Sequence, residues 1–239
     1  AGLREKKVDV SCISFDPRAP SGAAIIAVDR EGEKQITAAL GANMCLKPGH
    51  VRAAERLIAN GRVLLMQFET PIETVFAAAR LARKHGLLVA LDPAPPREIP
   101  DELFPLLELI RPNSDEAGQI TGVLVKNRNS ARKAGRKLLE KGVRIVAMES
   151  GDGGDLIMTL DEELFFPRLK VKTVDATGAG DAFAGAFAAG LAEGLPLERI
   201  GRLANAAAAL STTRMGAQEG LPTRPQVERF LKEQRRVSG

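Results

Sequence analysis

The sequence predicts an α/β protein whose sheet is mainly parallel and covered by helices on both faces. Three observations predict it. Short apolar runs alternate with stretches of ten to fifteen residues at helical spacing over much of the chain. The first of these runs after the N-terminal hairpin, Val63–Phe68, is continuously apolar, as a strand covered on both faces requires. Each run is followed by a polar loop carrying Gly, Pro or Asn, at the edge where a parallel sheet places its binding site. With 239 residues, of which 44% are hydrophobic, the chain can bury a sizeable core.

In order, the charged segment Arg4 to Lys7 reads as the end of a helix. Gly22–Val28 and Gln35–Leu40 read as strands joined by the polar turn Asp29-Arg30-Glu31-Gly32-Glu33, a β-hairpin. Pro48 to Asn60 has helical spacing through Val51, Ala54, Leu57 and Ile58, and Asn60-Gly61 closes it. Val63–Phe68 is the first sheet strand, and Pro71 opens a helix through Phe76, Ala79 and Ala82 to Gly86. Leu87–Leu91 is the next strand, ending in the rigid loop Asp92-Pro93-Ala94-Pro95-Pro96. Leu106–Arg111 gives another, closed by Pro112-Asn113. Ser114 and Ser130 read as caps of two further helices, the second ending at Lys141-Gly142. Val143–Met148 is strand again, and Ser150–Gly154 turns the chain into Leu156–Thr159. An apolar helix through Ala182, Phe183, Phe187 and Leu191 follows, then helices over Leu197–Thr213 and Pro225–Gln234.

Composition excludes several classes of function. Lys and Arg number 34 against 30 Asp and Glu, a net charge of +4 with the signs interleaved, so no nucleic-acid patch is expected. Arg235-Arg236 reads as a solvated tail. Trp and Tyr are absent, which removes the usual platforms for stacking single-stranded bases. Cys12 and Cys45 lack metal-type spacing and read as free thiols in a reducing cytoplasm. No apolar run approaches the ~20 residues of a spanning helix, so a soluble protein without a membrane partner is expected.

Chemistry concentrates in Asp175-Ala176-Thr177-Gly178-Ala179-Gly180-Asp181. Gly178, Ala179 and Gly180 leave backbone amides open at a helix N-terminus, where unpaired N–H groups and the macrodipole favour a phosphate. Asp181 beside them suits a base taking a proton from an attacking hydroxyl, the bland reading being a first-turn carboxylate. Asn113-x-x-Glu116 opens another helix, where both side chains could face a phosphate-bound Mg²⁺ through water; Glu116 alone reads equally as a dipole-compensating residue of a first turn. The Ser150–Gly154 turn is a hairpin whose glycines let a backbone approach phosphates. No G-x-G-x-x-G follows an early strand, which excludes a dinucleotide-binding dehydrogenase.

The run Val174 to Asp181 resembles the C-terminal signature of the ribokinase-like (PfkB) sugar kinases, and the likeness extends from about Asp9 to the C-terminus. Asn113-x-x-Glu116 is similar to the family's N-x-x-E motif. Gly41-Ala42-Asn43, Gln67-Phe68-Glu69-Thr70-Pro71, Asp92-Pro93-Ala94-Pro95 and Thr213-Arg214-Met215-Gly216-Ala217-Gln218 resemble the ribokinase branch. The resemblance implies a three-layer αβα sandwich with part of a small β-lid. Residues 1–43 would form the partial lid and the strands leading into it, and 44–239 the nucleotide- and substrate-binding core. It implies transfer of the γ-phosphoryl group of ATP to a primary hydroxyl of a small sugar, D-ribose giving ribose 5-phosphate, with adenosine or fructose phosphate as other acceptors. Asp181 would be the base, and Gly178, Ala179 and Gly180 the anion hole. Glu69 and Asp181 would hold the sugar, and Asn113, Ser150, Gly151, Gly153, Gly154 and Asn205 the nucleotide. Asn205 reads equally as a satisfied hydrogen bond between helices. Glu116 would serve Mg²⁺ through water, and Asp175 and Thr177, with the Arg214–Gly216 loop, a potassium ion. A homodimer through the lid is implied as well.

The chain departs from the family pattern at Glu149, where many relatives carry Thr, and at Gly220, where relatives offer a serine hydroxyl to the ion. The family's opening segment, with an Asp and a G-G-x-x-x-N sugar motif, has no counterpart. A truncated, non-catalytic relative that binds only nucleotide or a partner is therefore the alternative expectation.

Overall fold

The computed structural model describes residues 2–28 and 34–237. A short helix, α1 (Gly2–Glu5), precedes a two-stranded antiparallel sheet of β1 (Ala23–Val28) and β2 (Lys34–Ala39), in register from Ala23↔Ala39 to Val28↔Lys34. The predicted hairpin is present. Its turn, 29–33, lies outside the described residues, as do the side chains of Arg235 and Arg236.

Six strands form the main sheet, in the order in which the chain makes them: β3 (Val63–Met66), β4 (Leu88–Leu91), β5 (Leu109–Ile110), β6 (Ile145–Glu149), β7 (Gly154–Met158) and β8 (Glu163–Pro167). β3 to β6 run parallel because long crossovers join them, through α-helices after β3 and β5 and through an extended loop with a 3₁₀ turn after β4, while β7 and β8 run antiparallel because turns of four residues can only return the chain beside itself. β8 is not apparent in the sequence, where Glu163-Leu164-Phe165-Phe166-Pro167 is short and ends in Pro. Its place is set by the Thr159–Glu162 turn, in which the Thr159 hydroxyl accepts the amides of Asp161 and Glu162 at 3.2 and 2.9 Å.

Alternate strand residues divide between two cores. Val89, Leu91, Ile110, Val146, Met148, Leu156 and Met158 face α4 (Ile72–Lys84), α5 (Ser114–Thr121) and α6 (Arg128–Glu140). Ala90, Leu109, Ile145, Ala147 and Ile157 face Phe183 and Phe187 of α7 (Ala179–Ala192) and Ile200 and Ala204 of α8 (Leu197–Ser211). This is the three-layer αβα sandwich that the alternating pattern predicts. α9 (Arg224–Val237) packs Val227 against Leu203, Ala206 and Ala207 of α8. No helix among the described residues is long and apolar enough to cross a membrane.

Several sequence expectations need correction. The Pro48–Asn60 helix is two, α2 (Pro48–Ala53) and α3 (Glu55–Ala59), because the backbone leaves helical geometry at Ala54. Leu106 ends a 3₁₀ turn, Asp101–Leu106, so the strand that follows is only Leu109–Ile110. The helix caps are Asn113 and Asn127, not Ser114 and Ser130. Each Asn carboxamide oxygen accepts the amide three residues on, at 2.8 and 3.0 Å, and Ser130 answers from the third helical position. Finally, Val63–Met66 packs on both faces as expected, Val63 on the α7 side and Leu64 and Met66 on the α4 side, but it is not a central strand. β4 is its only strand neighbour among the described residues, and Leu65 stays 39% exposed, so the apolar run that marks a central strand sits at an edge.

Candidate active site

The carboxyl ends of β3 to β6 and the start of α7 converge. From β3 comes Gln67, from β4 Asp92, from β5 Arg111 and Asn113, and from β6 Glu149 and Ser150. A backbone hydrogen bond from Phe68 N–H to Ala94 O, 2.8 Å, ties the first two loops together.

Gly178 caps α7 with φ 82°, a left-handed conformation that glycine adopts without strain, and a Cβ there would lie 3.0 Å from the Ala217 carbonyl oxygen. Ala179 N–H is spent on Ala176 O at 3.3 Å, whereas the amides of Gly180 and Asp181 find no acceptor among the described residues. Asp181 itself is exposed, and Gln67 Nε2 donates to its Oδ1 at 3.3 Å. Gln67 thus holds one carboxylate oxygen of Asp181; its polar side chain directly after an apolar strand is the signal in the sequence. Glu69 stands exposed two residues further along the same loop.

Asp175 organises the approach to α7. Its Oδ1 accepts the amide and hydroxyl of Thr177 at 2.9 and 2.7 Å, and its Oδ2 accepts Gly216 N–H at 3.0 Å. The Asp175–Thr177 segment and the Arg214–Gly216 loop, the two expected around a monovalent ion, are thus brought together. The N-x-x-E pair forms a reciprocal capping box: Glu116 Oε2 accepts Asn113 N–H and Asn113 Oδ1 accepts Glu116 N–H, both at 2.8 Å, which leaves Glu116 Oε1 and Asn113 Nδ2 over. Such a single oxygen suits an ion held through water. No cluster of three or more His, Cys, Asp or Glu able to enclose a metal occurs among the described residues.

The Ser150–Gly154 turn is built around its own hydrogen bonds. Ser150 is fully buried and its hydroxyl lies 2.6 Å from Asp152 Oδ1 and 3.0 Å from Gly154 O, so its side chain shapes the turn. Gly151 (φ 77°) packs where a Cβ would meet the Lys126 backbone at 2.8 Å. Asn205 does not bridge helices. Its Nδ2 donates to Asp155 Oδ2 of β7 at 2.9 Å, and the Asp155 carboxyl is raised chiefly by burial.

Arg111 and Asp92 escape the sequence reading because each looks like the polar end of a strand. Arg111 is 8% exposed, lies 4.0 Å from Asp92 and 3.6 Å from Glu149, and stacks over Phe183 at 5.1 Å. Burial, opposed by Arg111 and aided by Glu116, Asp181 and Glu149, pushes the Asp92 carboxyl up from 3.8 to about 6. The folded chain therefore holds a proton between about pH 4 and 6 that the unfolded chain has released, so stability falls as pH rises through that window. Asp92→Asn is expected to flatten this fall, by roughly 3 kcal/mol at most above pH 6. Urea unfolding of both chains at pH 5 and 7.5 measures it.

The sequence pattern of the pfkB family carbohydrate kinases matches residues 1–224. A ribokinase of Haemophilus influenzae is 37% identical over 95% of this chain and 74% of its own length. A deoxyribokinase of Salmonella typhi is 33% identical over 94% of this chain and 74% of its own. The structure of an Arabidopsis thaliana ribokinase complexed with ribose and ATP superposes with a TM-score of 0.83, at 29% identity, over 90% of this chain and 70% of that one. With the sheet order, the capped α7 and Asp181 at its start, these matches place the chain in the pfkB family of carbohydrate kinases, as an ATP-dependent sugar kinase.

Proposed function

We propose that the sugar is D-ribose and the product ribose 5-phosphate. One observation carries the reading: Asp181 stands exposed beside the open Gly180 and Asp181 amides, with Gln67 fixing one carboxylate oxygen and leaving the other to take a proton. A primary hydroxyl attacks the γ-phosphorus as its proton passes to Asp181. The bond to the bridging oxygen breaks and its electron pair leaves with ADP. Amides already in place receive the charge that builds on the transferred group. Asn113 and the Gly151–Gly154 backbone would hold the nucleotide, and Glu69 the sugar. Glu116 Oε1 would hold water on Mg²⁺, and Asp175 and Thr177 would face K⁺; Mg²⁺ supplies charge screening on the β- and γ-phosphates when bound.

Ribose is supported by the likeness of Gln67 to Pro71 and of Asp92 to Pro95 to the ribokinase branch, while the deoxyribokinase relative keeps 2-deoxy-D-ribose as the competing substrate. Comparing kcat/KM for the two sugars tests this. A tenfold or greater preference for ribose is expected, and a preference for deoxyribose would reverse the assignment. Glu116→Gln keeps an acceptor for Asn113 N–H, so folding should be nearly unchanged while the Mg²⁺ needed for half-maximal activity rises severalfold. A Mg²⁺ titration of both chains checks it.

Residues 1–43 as part of a lid and 44–239 as the kinase core follow from the same reading, and Ile25, 74% exposed on the hairpin, supports pairing of two lids. Free Cys12 and Cys45 support a cytoplasmic location.

A further inference from the structure

We propose that Arg111 is a catalytic residue whose guanidinium, with the Gly180 and Asp181 amides, grips the oxygens of the phosphoryl group during transfer and in the product ester. The proposal rests on the sugar-kinase reading and adds a residue to it. Arg111 closes β5 with a side chain only 9% exposed, and it is the one buried cation among the described residues. Its Nη1 lies 3.0 Å from where a Cβ on Gly180 would stand, so the guanidinium rests against the first turn of α7.

The group is not used up by structure. Its five N–H donors make no hydrogen bond among the described residues, and its ion pairs are long, 3.6 Å to Glu149 and 4.0 Å to Asp92. Arg132 and Arg224, which serve architecture, behave otherwise. Arg132 grips Glu163 with Nε at 2.6 Å, and Arg224 forks onto Glu193 at 3.1 and 3.2 Å. A guanidinium held in place by packing, with its donors left to solvent and not to protein acceptors, is free to receive an oxyanion, and a tetrahedral phosphoryl group at the α7 terminus is of the right charge and size. Phe183 beneath the plane, 5.1 Å away, fixes its orientation. The setting also calls for a cation. Asp92, Glu149 and Asp181 gather at the same strand ends, and without Arg111 their field would repel the incoming γ-phosphate.

In the step itself, the sugar oxygen forms its bond to phosphorus, its proton goes to Asp181, and ADP departs with the electrons of the broken P–O bond. Arg111 holds the non-bridging oxygens before and after the transfer and neither gains nor loses a proton.

Removing Arg111 alone would leave Asp92 buried without its counter-ion, so the test uses Asp92→Asn as background. Inorganic phosphate is titrated calorimetrically into the ADP-loaded Asp92→Asn chain and into the Arg111→Met, Asp92→Asn double variant. The expected result is at least tenfold weaker phosphate binding in the double variant. Affinities within twofold of each other, or no measurable phosphate binding by the single variant, would overturn the proposal. In parallel, Arg111→Lys keeps the charge and the fold but loses the planar fork. Its kcat should drop at least a hundredfold while the KM for ATP and for sugar stays within about threefold, and a kcat within threefold of the parent would also overturn the proposal. If the parent chain phosphorylates no sugar, the kinase reading falls by itself and the phosphate titration still decides Arg111.

Discussion

Asp181→Asn is expected to lower kcat by about three orders of magnitude or more, in the range that loss of a positioned base produces, and to leave ATP affinity within twofold. The asymmetry follows from the structure. Asn matches Asp in size, so the contact from Gln67 Nε2 to the oxygen at this position, 3.3 Å, survives, and so do the open amides of the α7 terminus. Only proton acceptance is lost. Stopped-time ADP assays give the rate, and calorimetric titration with a non-hydrolysable ATP analogue gives the affinity. A variant within tenfold of the parent rate would remove Asp181 from the base role. A variant that loses ATP binding would show that the carboxylate shapes the nucleotide site instead.

Gly178→Val is expected to cost about 3 kcal/mol of stability, since a left-handed residue with a β-branched side chain is strained and the new Cβ meets the Ala217 carbonyl oxygen at 3.0 Å. The same change should depress kcat about a hundredfold even at temperatures where the chain is folded, because displacing this cap re-aims the Gly180 and Asp181 amides. Gly185, in the same helix, is the control. Nothing lies within 4 Å of a Cβ there, and Gly185→Ala is expected to hold or raise stability by about 0.5–1 kcal/mol. Thermal melts of the two variants side by side separate a special backbone from a generic loss of glycine.

The sheet was legible where strand and helix periods alternate. The runs at 87–91, 106–111 and 143–148 all contain strands, and the two faces sort their residues between α4–α6 and α7–α8. What the local pattern hides is the number of neighbours a strand has. Val63–Met66 has the composition of a central strand and lies at an edge, because composition reports burial expected by the side chains and not pairing. β8 was hidden for the opposite reason, being short, part-exposed and held by a turn whose Thr159 contacts only folding reveals.

Within the candidate site, residues joined to a glycine signature were readable, Asp175 and Asp181 among them. Arg111 and Asp92 were not. Each is a lone charge at the end of an apolar run, and their proximity, 4.0 Å, depends on parallel pairing of β4 with β5. The Ser150 turn shows the converse. Its glycines were recognisable from sequence, but the burial of the serine hydroxyl against Asp152 and Gly154 was not.

The most direct measurement of the account follows phosphorus-31 resonances while the chain is incubated with ATP, Mg²⁺, K⁺ and D-ribose. The account predicts a phosphate monoester resonance of ribose 5-phosphate growing in step with ADP, and neither product when ribose is withheld. ADP that accumulates with inorganic phosphate alone, or ATP that remains intact although it binds, would contradict it.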